Sequence, residues 1–397
     1  MKLFIITDEP VPYGMAATNR MLSLSRGLVE EGIPVQVICI RTTEKREVNI
    51  LNKNSVGRIQ GIQYEYSCGT TLRGETFFKR RYLAMRGIWY SVFLLRNGQK
   101  KDILMLYLSS PFLMLFYCLV SKLFGLFYII DKSEYPFVLN NKSAIGKLYA
   151  YLYTSYAYKL FDAILVMTMP LQSYFAKRMR RYAKLLLVPM TVESVRFLNH
   201  HSLPPEKERY IAYCGYLGGN KDGVSILINS FALLIKKINN IKLYIIGDAQ
   251  GTNDLENLQI LVKELNIQKY VVFTGHVSRE DMPGYLCNAT TLALARPTSL
   301  QSQGGFPTKL GEYLSTGNPV VVTSVGDIPF FLKDGENAFL SVPDSAEAFA
   351  QKLEYVLTNP EHAKRVGMKG RETALANFDY KVQAKRLVDF LSTISRN

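Results

Sequence analysis

The chain has 397 residues, 48% of them hydrophobic and 20% charged, which excludes a disordered chain. That length exceeds the size at which one core keeps growing, so two domains are expected. Five cysteines (Cys39, Cys68, Cys118, Cys214, Cys287) without paired or metal-type spacing exclude a disulfide scaffold and a zinc or redox motif, and the net charge of +15 is uneven: residues 1–204 hold 27 Lys and Arg against 13 Asp and Glu, while the remainder is close to neutral.

In chain order, "KLFIITD" reads as a buried strand, followed by a loop around Gly14, a helix with Met21, Leu24 and Leu28 on one face, Gly32 as its stop, and the strand "VQVICI". The N-terminus runs straight into its strand without a signal-peptide pattern, so cytoplasmic residence is expected. Two clusters, "KRRYLAMR" from Lys79 and "AKRMRRYAK" from Ala176, interleave cations with Tyr, Leu and Met. Such composition suits peripheral contact with an anionic membrane surface, at roughly 1 kcal/mol per nearby cation; the competing reading is a solvated face. No nucleic-acid signature accompanies the charge, so nucleic acid is not expected as a partner. Ile103 to Ile130 carries one charge in 28 residues and is long enough to span a bilayer, but Ser109 to Pro111, Lys122 and Gly125 punctuate it as strand, helix and strand of a parallel sheet. "IDKSEYPF" belongs at a strand's carboxyl end, where open sheets place ligands, making Glu134 an acceptor-side candidate against the alternative of a cap or loop carboxylate. The tyrosines of "LYAYLYTSYAYKLF" read as helix packing rather than a sugar platform.

"NHHSLPPEKE", residues 199–208, is the expected linker. Strand signals then restart at "YIAYCG" and continue through "IKLYIIG", "YVVFTG", "TLALA" and "PVVVT". The alternation implies parallel sheets with helices on both faces. Leu387, Phe390, Leu391 and Ile394 make the last segment an amphipathic helix.

"QGGFPTKLGEYLSTGNPVVVT", from Gln303, carries the strongest chemical signal. Gly304 and Gly305 allow close backbone approach to a ligand and are expected in conformations closed to other residues, and Pro307 suits the first position of a helix whose open amides favour a phosphate. Glu312 lies about 6 Å further along the axis than Thr308, a reach suited to a ribose beyond a diphosphate. Leu310 and Leu314 occupy another face that turns to the core, and Gly317 and Pro319 end the helix.

The block from Gly304 to Leu340 resembles the C-terminal signature of family-four retaining glycosyltransferases, and "YCGYLGGNKDG", "LYIIGD" and "VVFTGHVSREDMPGYL" extend the likeness over almost the whole chain. The resemblance implies an α/β chain of the GT-B fold: two doubly wound Rossmann-like domains facing across a cleft, with a C-terminal helix crossing back to the first. The implied divisions are 1–198 for the acceptor side, 199–208 for the linker, 209–376 for the nucleotide-sugar domain and 377–397 for the closing helix. It implies transfer from a nucleotide sugar, a substrate and not a cofactor, to a lipid-linked or glycan acceptor. Glu312 would bind the donor ribose and Lys221 the diphosphate, these two being the catalytic candidates. Gly14, Gly215, Tyr216, Arg296, Gln303, Gly304, Gly305, Phe306, Pro307, Thr308 and Lys309 complete the implied donor site, and the backbone of His276 and Val277, after "VVFTG", is a candidate border for the base against the equal alternative of a satisfied surface histidine. The chain departs from the family where Gly304 replaces a glutamate and Tyr216 an arginine; Gln301 or Gln303 are candidates for the first loss, Arg296 or Lys309 for the second. No carboxylate cluster suggests a metal. A nucleotide-sugar epimerase, or a GT-B protein that binds a partner enzyme without catalysis, are the alternative readings.

Overall fold

The computed structural model describes residues 1–46, 50–136, 143–198, 209–249 and 252–395. The chain divides into two units, Met1–Thr191 with Tyr380–Asn397, and Val192–Asp379. The expected linker, 199–208, lies outside the described residues. The division falls at 191/192 and 379/380, not at 198 and 376, because the 3-10 turn Ser194–Phe197 buries Ser194 and Phe197 within the second unit.

The first unit runs β1 (Leu3–Thr7), α1 (Ala16–Glu30), β2 (Val35–Cys39), β3 (Val56–Ile59), β4 (Ile62–Tyr66), α2 (Phe77–Leu95), β5 (Ile103–Tyr107), α3 (Pro111–Phe124), β6 (Phe127–Lys132), α4 (Ala144–Tyr156), β7 (Ala163–Val166), α5 (Met169–Ala176) and β8 (Lys184–Leu187). Among the described residues these strands form one sheet in the order β3-β4-β2-β1-β5-β6-β7-β8, parallel except for the β3–β4 hairpin. β1 is buried along its whole length, as a strand covered on both faces must be, and this explains its uninterrupted apolar run. Ile103 to Ile130 is strand, helix and strand; Gly125, at φ +68, caps α3 in the left-handed conformation that a side chain would strain. No helix among the described residues is long and apolar enough to cross a membrane.

The second unit runs β9 (Tyr210–Cys214), α6 (Val224–Leu234), β10 (Lys242–Ile246), α7 (Asp254–Glu264), β11 (Val271–Gly275), α8 (Met282–Cys287), β12 (Thr291–Leu294), α9 (Leu300–Gly304), α10 (Thr308–Ser315), β13 (Val320–Thr323), α11 (Ile328–Phe331), β14 (Phe339–Ser341), α12 (Ala346–Thr358) and α13 (Pro360–Asn377). Its sheet, β11-β10-β9-β12-β13-β14, is parallel throughout. The strand order reverses between β9 and β12, the place where a doubly wound sheet opens a crevice at its carboxyl edge. Val192 N–H donates to the Phe378 carbonyl at 2.8 Å, so the chain enters and leaves this unit at adjacent points.

The last helix, α14 (Tyr380–Ser395), belongs to the first unit. Its Leu387, Leu391 and Ile394 join the core that holds Leu24 and Leu28 of α1, and Phe390 packs at the margin. Gly27 permits the close approach, since a Cβ there would stand 2.4 Å from the Ala384 Cβ. Tyr380 donates its hydroxyl to the Glu30 carboxylate at 2.8 Å.

Candidate donor site in the second unit

The carboxyl edge between β9 and β12 is lined by backbone that leaves no room for side chains. A Cβ on Gly247, at φ +139, would lie 1.9 Å from the Gly215 carbonyl oxygen, and one on Gly223, at φ +66, would lie 1.9 Å from that of Ala295. α10 is pinned to this edge through Tyr313, whose buried hydroxyl accepts from Cys214 N–H at 2.6 Å and donates to the Cys214 carbonyl at 3.2 Å.

From α10 two charged side chains reach opposite partners. Lys309 bonds to Asp222, with a second contact of 2.9 Å to the Tyr213 hydroxyl and its ammonium 4.4 Å above that ring. Burial alone raises the Asp222 carboxyl, but the charge and hydrogen bond of Lys309, the Tyr213 hydroxyl and Arg296 together hold it below its ordinary value. The Lys309 ammonium fills the space a Gly215 side chain would need, which explains the glycine. Glu312, one turn further and half-buried, pairs with Arg196 at 3.4 Å. Its carboxyl sits above its ordinary value because burial outweighs the attraction of Arg196, Arg279 and Lys309, and Glu193 adds repulsion.

Several expectations are corrected by this geometry. Gly304 is the last residue of α9 and Gly305 has φ −108, so neither adopts a conformation reserved for glycine. Pro307 is the N-cap of α10 and Thr308 its first helical residue, one position later than expected. Phe306 is 5% exposed and packs on Phe331 and Phe378 with ring centroids 5.6 and 5.4 Å away, which places its side chain in the core. Arg296 is 1% exposed and donates to the Gln301 carbonyl at 3.4 Å, which places it beneath the α9 turn instead of on the open edge. Lys309, the other candidate to replace the family's arginine, is paired with Asp222.

The other candidates surround this edge. Gly215 and the exposed Tyr216 follow β9, and exposed Lys221 follows the 3-10 turn Gly218–Asn220. Exposed His276 and half-buried Val277 follow β11. Gln303 is exposed on α9. Sequence reasoning missed Asp222, Tyr213, Arg196 and Arg279. Asp222 directly follows the singled-out Lys221 and was within reach; Arg196 lies far outside the signature and carries no local signal.

The first unit has its own carboxyl edge. Glu134 lies exposed just past β6, as expected, beside a buried network in which Arg20 bonds to Asp131 at 2.9 Å and the Tyr107 hydroxyl donates to the same carboxylate at 2.6 Å. Burial pulls the Lys132 ammonium down to about 8 against the attraction of Asp131 and Asp8. Gly14, in the loop before α1, is dictated by packing: a Cβ would meet the Thr18 hydroxyl oxygen at 2.2 Å.

Residues 196–373 match the family described as Glycosyl transferases group 1. A GDP-mannose-dependent alpha-(1-6)-phosphatidylinositol monomannoside mannosyltransferase of Mycolicibacterium smegmatis is 27% identical over 43% of this chain and 45% of its own length. The capsular polysaccharide biosynthesis glycosyltransferase CapM of Staphylococcus aureus is 26% identical over 46% of each chain. The chain thus spans about half the length of the curated relatives it matches. Among solved structures, sucrose-phosphate synthase from Thermosynechococcus elongatus superposes with a TM-score of 0.77 at 16% identity, covering 99% of this chain and 98% of that one. HepE from Anabaena in complex with UDP gives 0.73 at 13% identity, covering 99% and 100%. The fold is therefore that of the GT-B class, two doubly wound units. The match to the glycosyl transferases group 1 family falls within the second unit, from the 3-10 turn before β9 to α13.

Proposed function

We propose that the protein is a retaining glycosyltransferase that moves a sugar from a nucleotide-sugar donor to a membrane-associated glycan or glycolipid, as in bacterial surface polysaccharide synthesis. The observation that carries this reading is the α10 carboxylate, Glu312, held at the open carboxyl edge of a unit whose sequence matches a glycosyltransferase family. The names of the relatives support the acceptor class: one is a phosphatidylinositol monomannoside mannosyltransferase, another acts in capsular polysaccharide biosynthesis. A structural neighbour was solved with UDP, in keeping with a nucleotide donor.

In this reading Glu312 accepts hydrogen bonds from the ribose hydroxyls, and the Thr308 amide at the start of α10 with Lys221 meets the diphosphate. The bond from C1 to the diphosphate oxygen breaks, its electron pair leaves with the diphosphate, and the acceptor oxygen bonds to C1 on the same face while its proton passes to the leaving group. The protein's share is charge stabilisation on the departing diphosphate, where one aimed donor is typically worth about 10²- to 10³-fold in rate. No metal is required by this scheme. Work at the inner face of the membrane follows from the basic first unit and from the acceptor class.

The test is a thermal-shift screen of nucleoside diphosphates and nucleotide sugars, followed by transfer to a lipid extract with the donor so found. A donor that binds and is consumed only with acceptor present supports the reading. Epimerisation of the free donor, or binding without turnover in any lipid pool, overturns it.

A further inference from the structure

A second cluster of charge lies in the first unit, and none of its residues is among those named for the donor site. Arg41, Arg73, Arg80 and Arg81, with Thr42 and Phe77, line an open pocket of about 400 Å³. It is built by a short ladder outside the sheet: Thr43 and Glu44 N–H donate to the Thr71 carbonyl at 3.0 and 2.9 Å, and Arg73 N–H donates to that of Glu44 at 2.9 Å. Arg80 is oriented by the Gly74 and Glu75 carbonyls, each at 3.1 Å, and Arg81 lies over the Phe77 ring at 5.1 Å. Arg41 reaches Asp8, the residue after β1, at 3.8 Å, so the pocket adjoins the sheet's carboxyl edge. No carboxylate is among the lining residues. Guanidinium groups gathered in this way repel one another unless an anion joins them, and their forked donors match phosphate oxygens.

The pocket opens beside exposed apolar surface. Along α2, Phe78, Tyr82, Met85, Trp89 and Phe93 recur at three- and four-residue spacing and all are more than half exposed. Along α3, Phe112, Leu115, Leu119 and Leu123 follow the same spacing and are half exposed or more. Trp89 meets Phe116 edge-on at 6.1 Å, which joins the two stripes. A soluble anion would explain the arginines and leave the stripes unexplained; a lipid accounts for both, since contiguous exposed apolar surface marks a membrane or partner contact.

We propose that the arginine pocket binds the phosphate or diphosphate group of a lipid whose hydrocarbon lies along the α2 and α3 stripes, so that the acceptor is a phosphate-linked lipid held at the first unit's carboxyl edge. The inference rests on the membrane-acceptor reading above and names the chemistry of its anchor.

The full chain is floated with phosphatidylcholine vesicles containing phosphatidic acid, or enough phosphatidylserine to match the surface charge. Binding to phosphatidic acid is expected to be about tenfold tighter, to compete with inorganic pyrophosphate, and to fall about tenfold in Arg73→Gln/Arg81→Gln. Arg80 is left in place because its backbone bonds hold the loop; an unchanged melting midpoint shows that the double variant folds. Equal binding to the two vesicles, an unaffected double variant, or pyrophosphate binding without vesicle binding each overturns the proposal. Nucleoside diphosphate binding is measured on the same preparations: its absence alone sinks the glycosyltransferase reading, whereas loss of phosphatidic acid preference alone sinks the pocket.

Discussion

Glu312 and Arg196 are 116 positions apart in the chain and meet at 3.4 Å, yet the Glu312 carboxyl still sits above its ordinary value because burial dominates. A carboxylate held against its own solvation is poised to accept from a ligand. Glu312→Gln should lower transfer by about 10²- to 10³-fold. Its effect on stability should have the opposite sign. The raised carboxyl destabilises the fold once ionised, and below its unfolded value of 4.5 it is protonated in both states. The variant should therefore melt higher than the wild type at pH 7, with the gap closing near pH 4. A lower midpoint at pH 7, or undiminished transfer, would contradict the role given to this side chain.

Lys221→Ala should likewise lower transfer by about 10²- to 10³-fold, and it should do so without moving the melting midpoint, because Lys221 is exposed beyond the Gly218–Asn220 turn. Donor affinity measured by calorimetry is the readout. Near-normal affinity together with near-normal turnover would place the diphosphate elsewhere.

Asp222→Asn should be a structural lesion. It leaves Lys309 enclosed without its counter-charge, and breaking such a pair costs about 3–5 kcal/mol. Since the Asp222 carboxyl is held low, the pair stabilises the fold above the unfolded value of 3.8 and loses that contribution as pH falls through the folded value. Urea unfolding should show a large deficit for the variant at pH 7 and a smaller one at pH 3. Equal deficits at both would show that the ion pair is not the cause.

Gly223→Ala should destabilise by about 1–3 kcal/mol from backbone strain at φ +66 alone, with the 1.9 Å contact to the Ala295 oxygen added to it. Gly305→Ala, at φ −108, carries no such strain and serves as the control. Thermal unfolding of the two variants side by side separates the positions; equal midpoints would remove the backbone argument.

Binding to anionic vesicles should fall as salt rises, since exposed charges are screened over about 8–10 Å at physiological ionic strength. The structure narrows which cations to alter. Arg180 pairs with Asp162, Arg178 stacks on Tyr174 at 3.7 Å, and Lys184 donates to the Thr393 carbonyl at 2.9 Å. Replacing Arg180 by Glu would set two carboxylates together and confound the result, so Lys177→Glu/Arg181→Glu is the cleaner variant. Salt-resistant association would point to apolar insertion as the dominant force.

The sequence by itself determined the alternation of elements and the faces they bury. Burial on both sides makes β1, β5 and β13 continuously apolar, and burial of one stripe spaces Leu387, Leu391 and Ile394 along α14; these signals lie within a few residues and survive without coordinates. The three-residue β14 and the β3–β4 hairpin were not legible, because strands so short carry too little pattern. The α10 signature located the candidate site, but whether a cation there is exposed, neutralised or enclosed depends on partners distant in sequence. Lys309 and Arg296 read as available phosphate ligands until Asp222 and the α9 turn were placed against them, and Glu312 had no visible partner until Arg196 arrived from the start of the second unit. The arginine pocket likewise joins a residue after β2 to residues flanking and within the first turns of α2. Charge state and exposure are properties of the surrounding space, and only the tertiary structure brings those groups within the few ångströms over which solvation and Coulomb attraction decide them.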